Sequence, residues 1–266
     1  MRHLRFLSLL GLATLPALGA QAASSNWHHV DGGSIRIVTS GTPDASGQLR
    51  GALEISLKPG WKTYWRDPGA SGVPPTLEMM AGAQAAPVEI NFPAPSRFDD
   101  GYAEWAGYDH SVSLALTIDL PENAPAPTKL EANLFLGLCE TICIPVGTML
   151  ELNPASDINN PEHNLLVEAA FAALPQPAQK EFSAKIISKD DDAILIEAAI
   201  PDGTTIRDLF IAGTQELTLD TPQRLQDGSQ TLYRVPIMAR GSPSGEYLAY
   251  TLVTDGGAVS GHMQLP

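Results

Sequence analysis

The sequence predicts an all-β protein: two immunoglobulin-like β-sandwich domains joined by a short linker that contains one helix. Three observations carry this reading. Apolar residues alternate with polar or small ones over many short runs, the period of strands with one face in a core. Turn residues rather than helices separate those runs, as in a sandwich and unlike a parallel sheet. Only between Leu152 and Lys180 does the pattern turn helical.

Residues 1–23 read as a secretory signal peptide: Arg2, His3 and Arg5 precede an apolar run at 6–18, and Ala20-Gln21-Ala22 fits the cleavage pattern. The run is too short to span a membrane, and no later stretch reaches the roughly 18 apolar residues a span needs. The mature chain is therefore expected to be soluble and not membrane-spanning. Losing a leader with two arginines and no acid makes the formal net charge of −14 two units more negative. That balance argues against nucleic acid as a partner; it aids solubility but names no function.

Residues 24–155 form the first expected domain. Its strand signals lie at 35–38, 53–57, 88–90, 112–120 and 130–138. The clearest puts Val112, Leu114, Leu116, Ile118 and Leu120 on one face and Ser113, Ala115, Thr117 and Asp119 on the other. The linker, 156–179, holds the helix. Asn160 is suited to cap it, Pro161 to its first position, and Leu165, Leu166, Ala169, Ala170 and Ala173 recur at helical spacing until Pro175. Alternation returns in the second domain, 180–266, at 194–196, 217–219, 233–237 and 247–253. That domain has no cysteine and takes no direct part in thiol chemistry.

Both cysteines, Cys139 and Cys143, fall within LFLGLCETICIP, residues 134–145. Leu134, Leu136 and Leu138 alternate into the first cysteine, Ile142 and Ile144 are β-branched, and Pro145 would block a helix. An antiparallel hairpin is thus favoured over a helical i,i+4 pair. Cross-strand neighbours about 5.5 Å apart at Cα can be bridged. A loop this short gains only about 2 kcal/mol from a bridge, against about 4.7 for a 100-residue loop. A chain of 266 residues also buries a sizeable core unaided. Spacing alone leaves a structural staple and a redox-active pair both open.

LCETICIP, with GWKTYWRDPG at 60–69 and SGVPP at 71–75, resembles the amino-terminal periplasmic domain of the DsbD/ScsB thiol:disulfide interchange proteins, most closely the ScsB branch with its Cys-x3-Cys spacing. The likeness is strong over 26–153 and architectural beyond. It implies an immunoglobulin-like sandwich, a periplasmic location, and exchange of the protein-disulfide reductase type with thioredoxin-fold partners. It further implies that Cys143 forms the mixed disulfide and Cys139 resolves it. DsbD and ScsB continue into a membrane electron conduit and a thioredoxin-like domain, so electrons are expected from a separate membrane donor. The alternatives are a non-enzymatic binding module with a permanent disulfide, or a copper-binding, copper-tolerance protein, because two soft sulfurs suit Cu(I).

In DsbD a cap loop covers the cysteines with an aromatic ring; here Gly101 stands at that place. Asp99, Asp100, Tyr102, Trp105 and Tyr108 are the cap or shielding candidates. Asp99, Asp100 and Glu140 are also expected neighbours of the sulfurs, where carboxylates oppose thiolate formation. Trp61, Tyr64 and Trp65 form an aromatic group suited to a partner surface or to the core, and Trp61 is assigned to the core. His28, His29, His110, His163 and His262 have no metal-ligand spacing, so no metal or other cofactor is expected.

Overall fold

The computed structural model describes residues 23–69, 72–99, 101, 104–121, 129–214, 216–227, 230–240 and 247–266. The expected leader up to residue 22, Asp100 and Tyr102 lie outside the described residues.

Twelve strands precede the helix: β1 (His28–Val30), β2 (Gly33–Thr39), β3 (Gln48–Leu57), β4 (Lys62–Tyr64), β5 (Thr76–Ala81), β6 (Gln84–Ala85), β7 (Val88–Asn91), β8 (Ser96–Asp99), β9 (Glu104–Tyr108), β10 (Val112–Asp119), β11 (Leu130–Cys139) and β12 (Cys143–Leu152). They form two facing sheets, β1-β2-β3-β10-β7 and β6-β5-β11-β4-β9-β8, with β12 on the other edge of β11. Period two places Leu130, Ala132, Leu134, Leu136 and Leu138 of β11 opposite Leu114, Leu116 and Ile118 of β10, all but fully buried. This is an all-β, immunoglobulin-like sandwich. Ala23, next to the expected first residue of this domain, is fully buried, and its carbonyl accepts the Thr39 N–H at 2.9 Å and the Thr39 hydroxyl at 3.1 Å.

Helix α1 (Pro161–Ala172) starts where Asn160 accepts the N–H groups of Glu162 and His163. Its buried stripe is His163, Val167 and Ala170, whereas Leu165 is 71% exposed and Ala169 and Ala173 are also exposed. The face expected from the apolar repeat is therefore rotated. The cause lies in the sheet: Val38, Ala52 and Ala115 make a flat, small-residue platform on the outer side of β2, β3 and β10, and Val167 and Ala170 settle on it. Arg50 stacks over Phe171 at 3.8 Å and pairs with Glu168 at 2.7 Å to fix the angle.

The second sandwich comprises β13 (Gln176–Pro177), β14 (Ser183–Lys189), β15 (Ala193–Ala199), β16 (Ile206–Ala212), β17 (Leu217–Leu219), β18 (Gln223–Asp227), β19 (Gln230–Arg240), β20 (Tyr247–Thr254) and β21 (Gly257–Gln264). Its sheets run β13-β21-β20-β16 and β14-β15-β19-β17, with β18 also on β19. They enclose their own core of Ile194, Ile196, Leu209, Leu217, Val235, Leu248 and Leu252. The two sandwiches are joined through β16. Phe210 meets the ring of Trp65 edge-on at 5.9 Å and belongs to the first core. Arg97 of β8 makes a two-pronged pair with Asp208, at 2.8 and 3.1 Å, and donates to the Leu209 carbonyl. Asp67 accepts the Gly213 N–H at 2.7 Å.

Candidate functional site

The β11–β12 hairpin closes on a three-residue turn, and its register sets Cys139 directly opposite Cys143. The two are joined as a disulfide with Cα atoms 4.1 Å apart. That is closer than the roughly 5.5 Å expected, and nearer the ~4.5 Å of a non-hydrogen-bonded pair. Even-numbered residues of the hairpin point into the core, so the odd-numbered cysteines point to the outer face of the sheet. The two sulfurs differ in access. Cys139 is only 6% exposed, while Cys143, beyond the turn, is an exposed residue. Ile142 at the tip is 76% exposed beside it.

Cys139 is covered by a small second cluster on this outer face: Tyr64 and Trp105, with Val73 and Phe98 packed against them. The Tyr64 hydroxyl lies 2.8 Å from Cys139 Sγ and 3.2 Å from Cys143 Sγ, so one phenol reaches both sulfurs. Trp105 meets Tyr64 edge-on at 5.6 Å and stacks on Phe98 at 4.3 Å. Lys62, the register partner of Cys139, holds its ammonium 5.2 Å from the Trp105 ring.

Two glycines allow rings to lie on the sheet. A Cβ on Gly137 would sit 3.0 Å from the Tyr64 ring and 2.9 Å from Val73 Cβ, and one on Gly107 would meet Trp105 at 3.0 Å. Gly137 also fixes the layer above it. It donates to the Val73 carbonyl at 3.1 Å, and its own carbonyl accepts from Thr63 Oγ1 at 3.0 Å.

The residues singled out by sequence separate sharply. Trp105 is in the cluster. Asp99 is exposed at the end of β8, where its carboxylate accepts the Gly101 N–H. Tyr108 does not shield the disulfide: it alternates to the inner face, is 1% exposed in the core, and donates its hydroxyl to the Pro93 carbonyl at 2.8 Å. Glu140 is exposed in the turn, its Oε1 3.3 Å from the point a Gly60 Cβ would occupy. Of the aromatic group, Trp65 is in the core, Trp61 packs half-buried against it, and Tyr64 alone reaches the sulfurs. Among the described residues no group of three or more His, Cys, Asp or Glu is placed to hold a metal. No helix there is long and apolar enough to cross a membrane.

Tyr64, which the sequence offers with Trp65 only as suited to a partner surface or to the core, is the one that reaches the sulfurs. It lies on a three-residue strand, 75 positions from Cys139; the pairing of Thr63 with Leu138 and of Lys62 with Cys139 brings it there. The alternation Thr63 inward, Tyr64 outward was the available signal.

No curated protein matches the chain in sequence. In fold it is similar to the N-terminal periplasmic domain of ScsB from Proteus mirabilis, with a TM-score of 0.69 at 21% identity, over 92% of this chain and 98% of that one. Residues 38–155, which contain the hairpin, Tyr64 and Trp105, match the family "Thiol:disulfide interchange protein DsbD, N-terminal". The first sandwich of this chain thus belongs to the family of DsbD amino-terminal domains.

Proposed function

We propose that the chain is a periplasmic thiol:disulfide interchange protein, whose Cys139–Cys143 pair passes electrons to or from thioredoxin-fold partners and is served by a separate membrane electron donor. The observation that carries this reading is the asymmetry of the two sulfurs beneath one phenol. Cys143 is exposed, Cys139 is enclosed, and the Tyr64 hydroxyl is within hydrogen-bond reach of both. A staple needs neither an accessible sulfur nor a shared donor.

In one direction the thiolate of Cys143 attacks a sulfur of the partner's disulfide, forming a mixed disulfide and releasing one partner thiolate. Cys139 then attacks Cys143 Sγ, the Cys139–Cys143 bond forms, and the second partner sulfur leaves. Two electrons have moved, the partner departs as a dithiol, and the protons of the two cysteines are accounted for in its thiols. The reverse sequence reduces Cys139–Cys143. In either direction negative charge develops on Cys139 or Cys143, and the Tyr64 O–H serves whichever sulfur carries it, because a thiolate accepts a hydrogen bond more strongly than a neutral sulfur. Trp105, Phe98 and Val73 keep water and small thiols from Cys139, so that Cys143 is the point of entry.

Equilibration with glutathione buffers tests the reading. The pair should titrate between dithiol and disulfide within the glutathione range, at a potential less reducing than the roughly −300 mV below which structural bridges fall. A bridge that stays oxidised throughout would make this a binding module with a permanent disulfide.

A further inference from the structure

Arg36, Arg50 and Arg97 each have a carboxylate partner. Arg66 has none: among the described residues no hydrogen bond or ion pair reaches it, and its Nε is buried without an acceptor. In a chain with 30 acidic and 16 basic side chains, an acid to pair it would be easy to supply. Arg66 as a whole is half-buried and its guanidinium faces the rings of Trp65 and Phe92, and a partly desolvated charge with no carboxylate beside it is costly in free energy. Burial pushes the Arg66 guanidinium below the usual arginine range, with Tyr108 and Glu89 acting weakly the other way.

Arg66 borders a cavity of about 190 Å³ between the two sandwiches and the linker. Phe92 gives it an apolar wall, its ring centroid 5.1 Å from the Arg66 guanidinium carbon. Asn91, Thr251 and Ser260 add hydrogen-bonding groups from both sandwiches, and Glu89 and His262 are the other ionisable groups on the wall. Trp65, on the same side, has a buried indole N–H that also lacks an acceptor. Two buried nitrogens without acceptors, one of them in a cation, thus belong to residues that line the same cleft. The space is smaller than the roughly 300–1,000 Å³ of drug-sized sites, yet larger than the ~30 Å³ share of a single water.

We infer that this cavity between the sandwiches is a binding site for a small oxyanion, either a short organic carboxylate or inorganic phosphate, held by the fork of the Arg66 guanidinium. The planar fork matches two oxygens of such a group. Glu89 selects against bulky polyanions by repulsion and favours an occupant that puts its charge at Arg66 alone. The site does not depend on the disulfide, so its failure and that of the exchange reading are separate.

Calorimetric titration of the full chain with propionate and with inorganic phosphate tests it. At least one should bind saturably, and the tighter of the two names the source as organic or inorganic. Arg66→Met should weaken that binding about tenfold or more. Because it removes a partly desolvated charge that has no carboxylate partner, the ligand-free variant should melt no lower than the parent chain. Asn91→Leu, which fills the cavity and keeps Arg66, should weaken binding too. Saturation by neither ion up to about 10 mM, or undiminished binding in both variants, would overturn the site.

Discussion

The two sandwiches use the same device to different ends. In each, a tyrosine ring lies over a glycine of a neighbouring strand. A Cβ on Gly137 would meet the Tyr64 ring at 3.0 Å, and one on Gly261 would meet Tyr250 at 2.9 Å. In the second sandwich the Tyr250 hydroxyl accepts the Ala184 N–H at 3.0 Å, closing a hydrogen bond inside the core. In the first, the Tyr64 hydroxyl faces two sulfurs on the outer side of the sheet. A phenol held over glycine is thus structural in itself. It becomes part of a chemical site only through what its oxygen reaches.

Filling the two glycines should separate the ends. Gly137→Val forces its branch into Tyr64 and Val73, and overpacking of this kind costs about 1–3 kcal/mol. Denaturant unfolding should show that loss, and exchange with thioredoxin should change along with it as Tyr64 is pushed off the sulfurs. Gly261→Val should cost a similar amount and leave the exchange rate untouched. Equal effects of the two on exchange would mean that Tyr64 has no special part.

Removing only the oxygens gives a smaller and cleaner contrast. Tyr64→Phe takes one donor from the sulfurs, worth about 1 kcal/mol. The reduced pair, whose thiolate gains most from that donor, should become harder to form: its potential moves to more negative values by roughly 20 mV, since 30 mV is about 1.4 kcal/mol. Tyr250→Phe orphans the Ala184 N–H, costs about 1–3 kcal/mol of stability, and should leave the potential unchanged.

The seam between the sandwiches sharpens the comparison least. Arg97→Ala removes the two-pronged pair with Asp208 and the bond to the Leu209 carbonyl, at about 1.5–3 kcal/mol for hydrogen bonds from a charged group. Thermal unfolding should record that loss, while exchange stays at the parent rate, because the Arg97 side chain faces Asp208 and Phe210 rather than the Phe98–Trp105 stack.

Much of this was legible in the chain. The alternation in 112–120 and 130–138 gave the buried faces of β10 and β11 because strand period and burial coincide there. The turn after Cys139 placed the cysteines opposite each other for the same reason. Other features depended on contacts across long sequence distances. The helix was visible, but its buried face was decided by the alanine platform at Ala52 and Ala115. Tyr108 and Trp105 look alike in sequence as aromatic members of one strand, yet their odd spacing sends one inward and one outward only once register with β4 is fixed. Tyr64 reaches the sulfurs through the pairing of β4 with β11, and the only local mark of it is the alternation that turns Thr63 inward and Tyr64 outward.

The central claim is that Cys143 meets the partner while Cys139, enclosed under Tyr64, resolves the mixed disulfide. Incubating Cys139→Ala and Cys143→Ala variants with periplasmic extract, followed by a non-reducing gel, tests it most directly. Without the resolving thiol the mixed disulfide has no intramolecular exit, so Cys139→Ala should accumulate a covalent complex with a thioredoxin-fold protein and Cys143→Ala little. The reverse pattern would contradict the assignment of the two sulfurs, and no complex from either variant would contradict exchange itself.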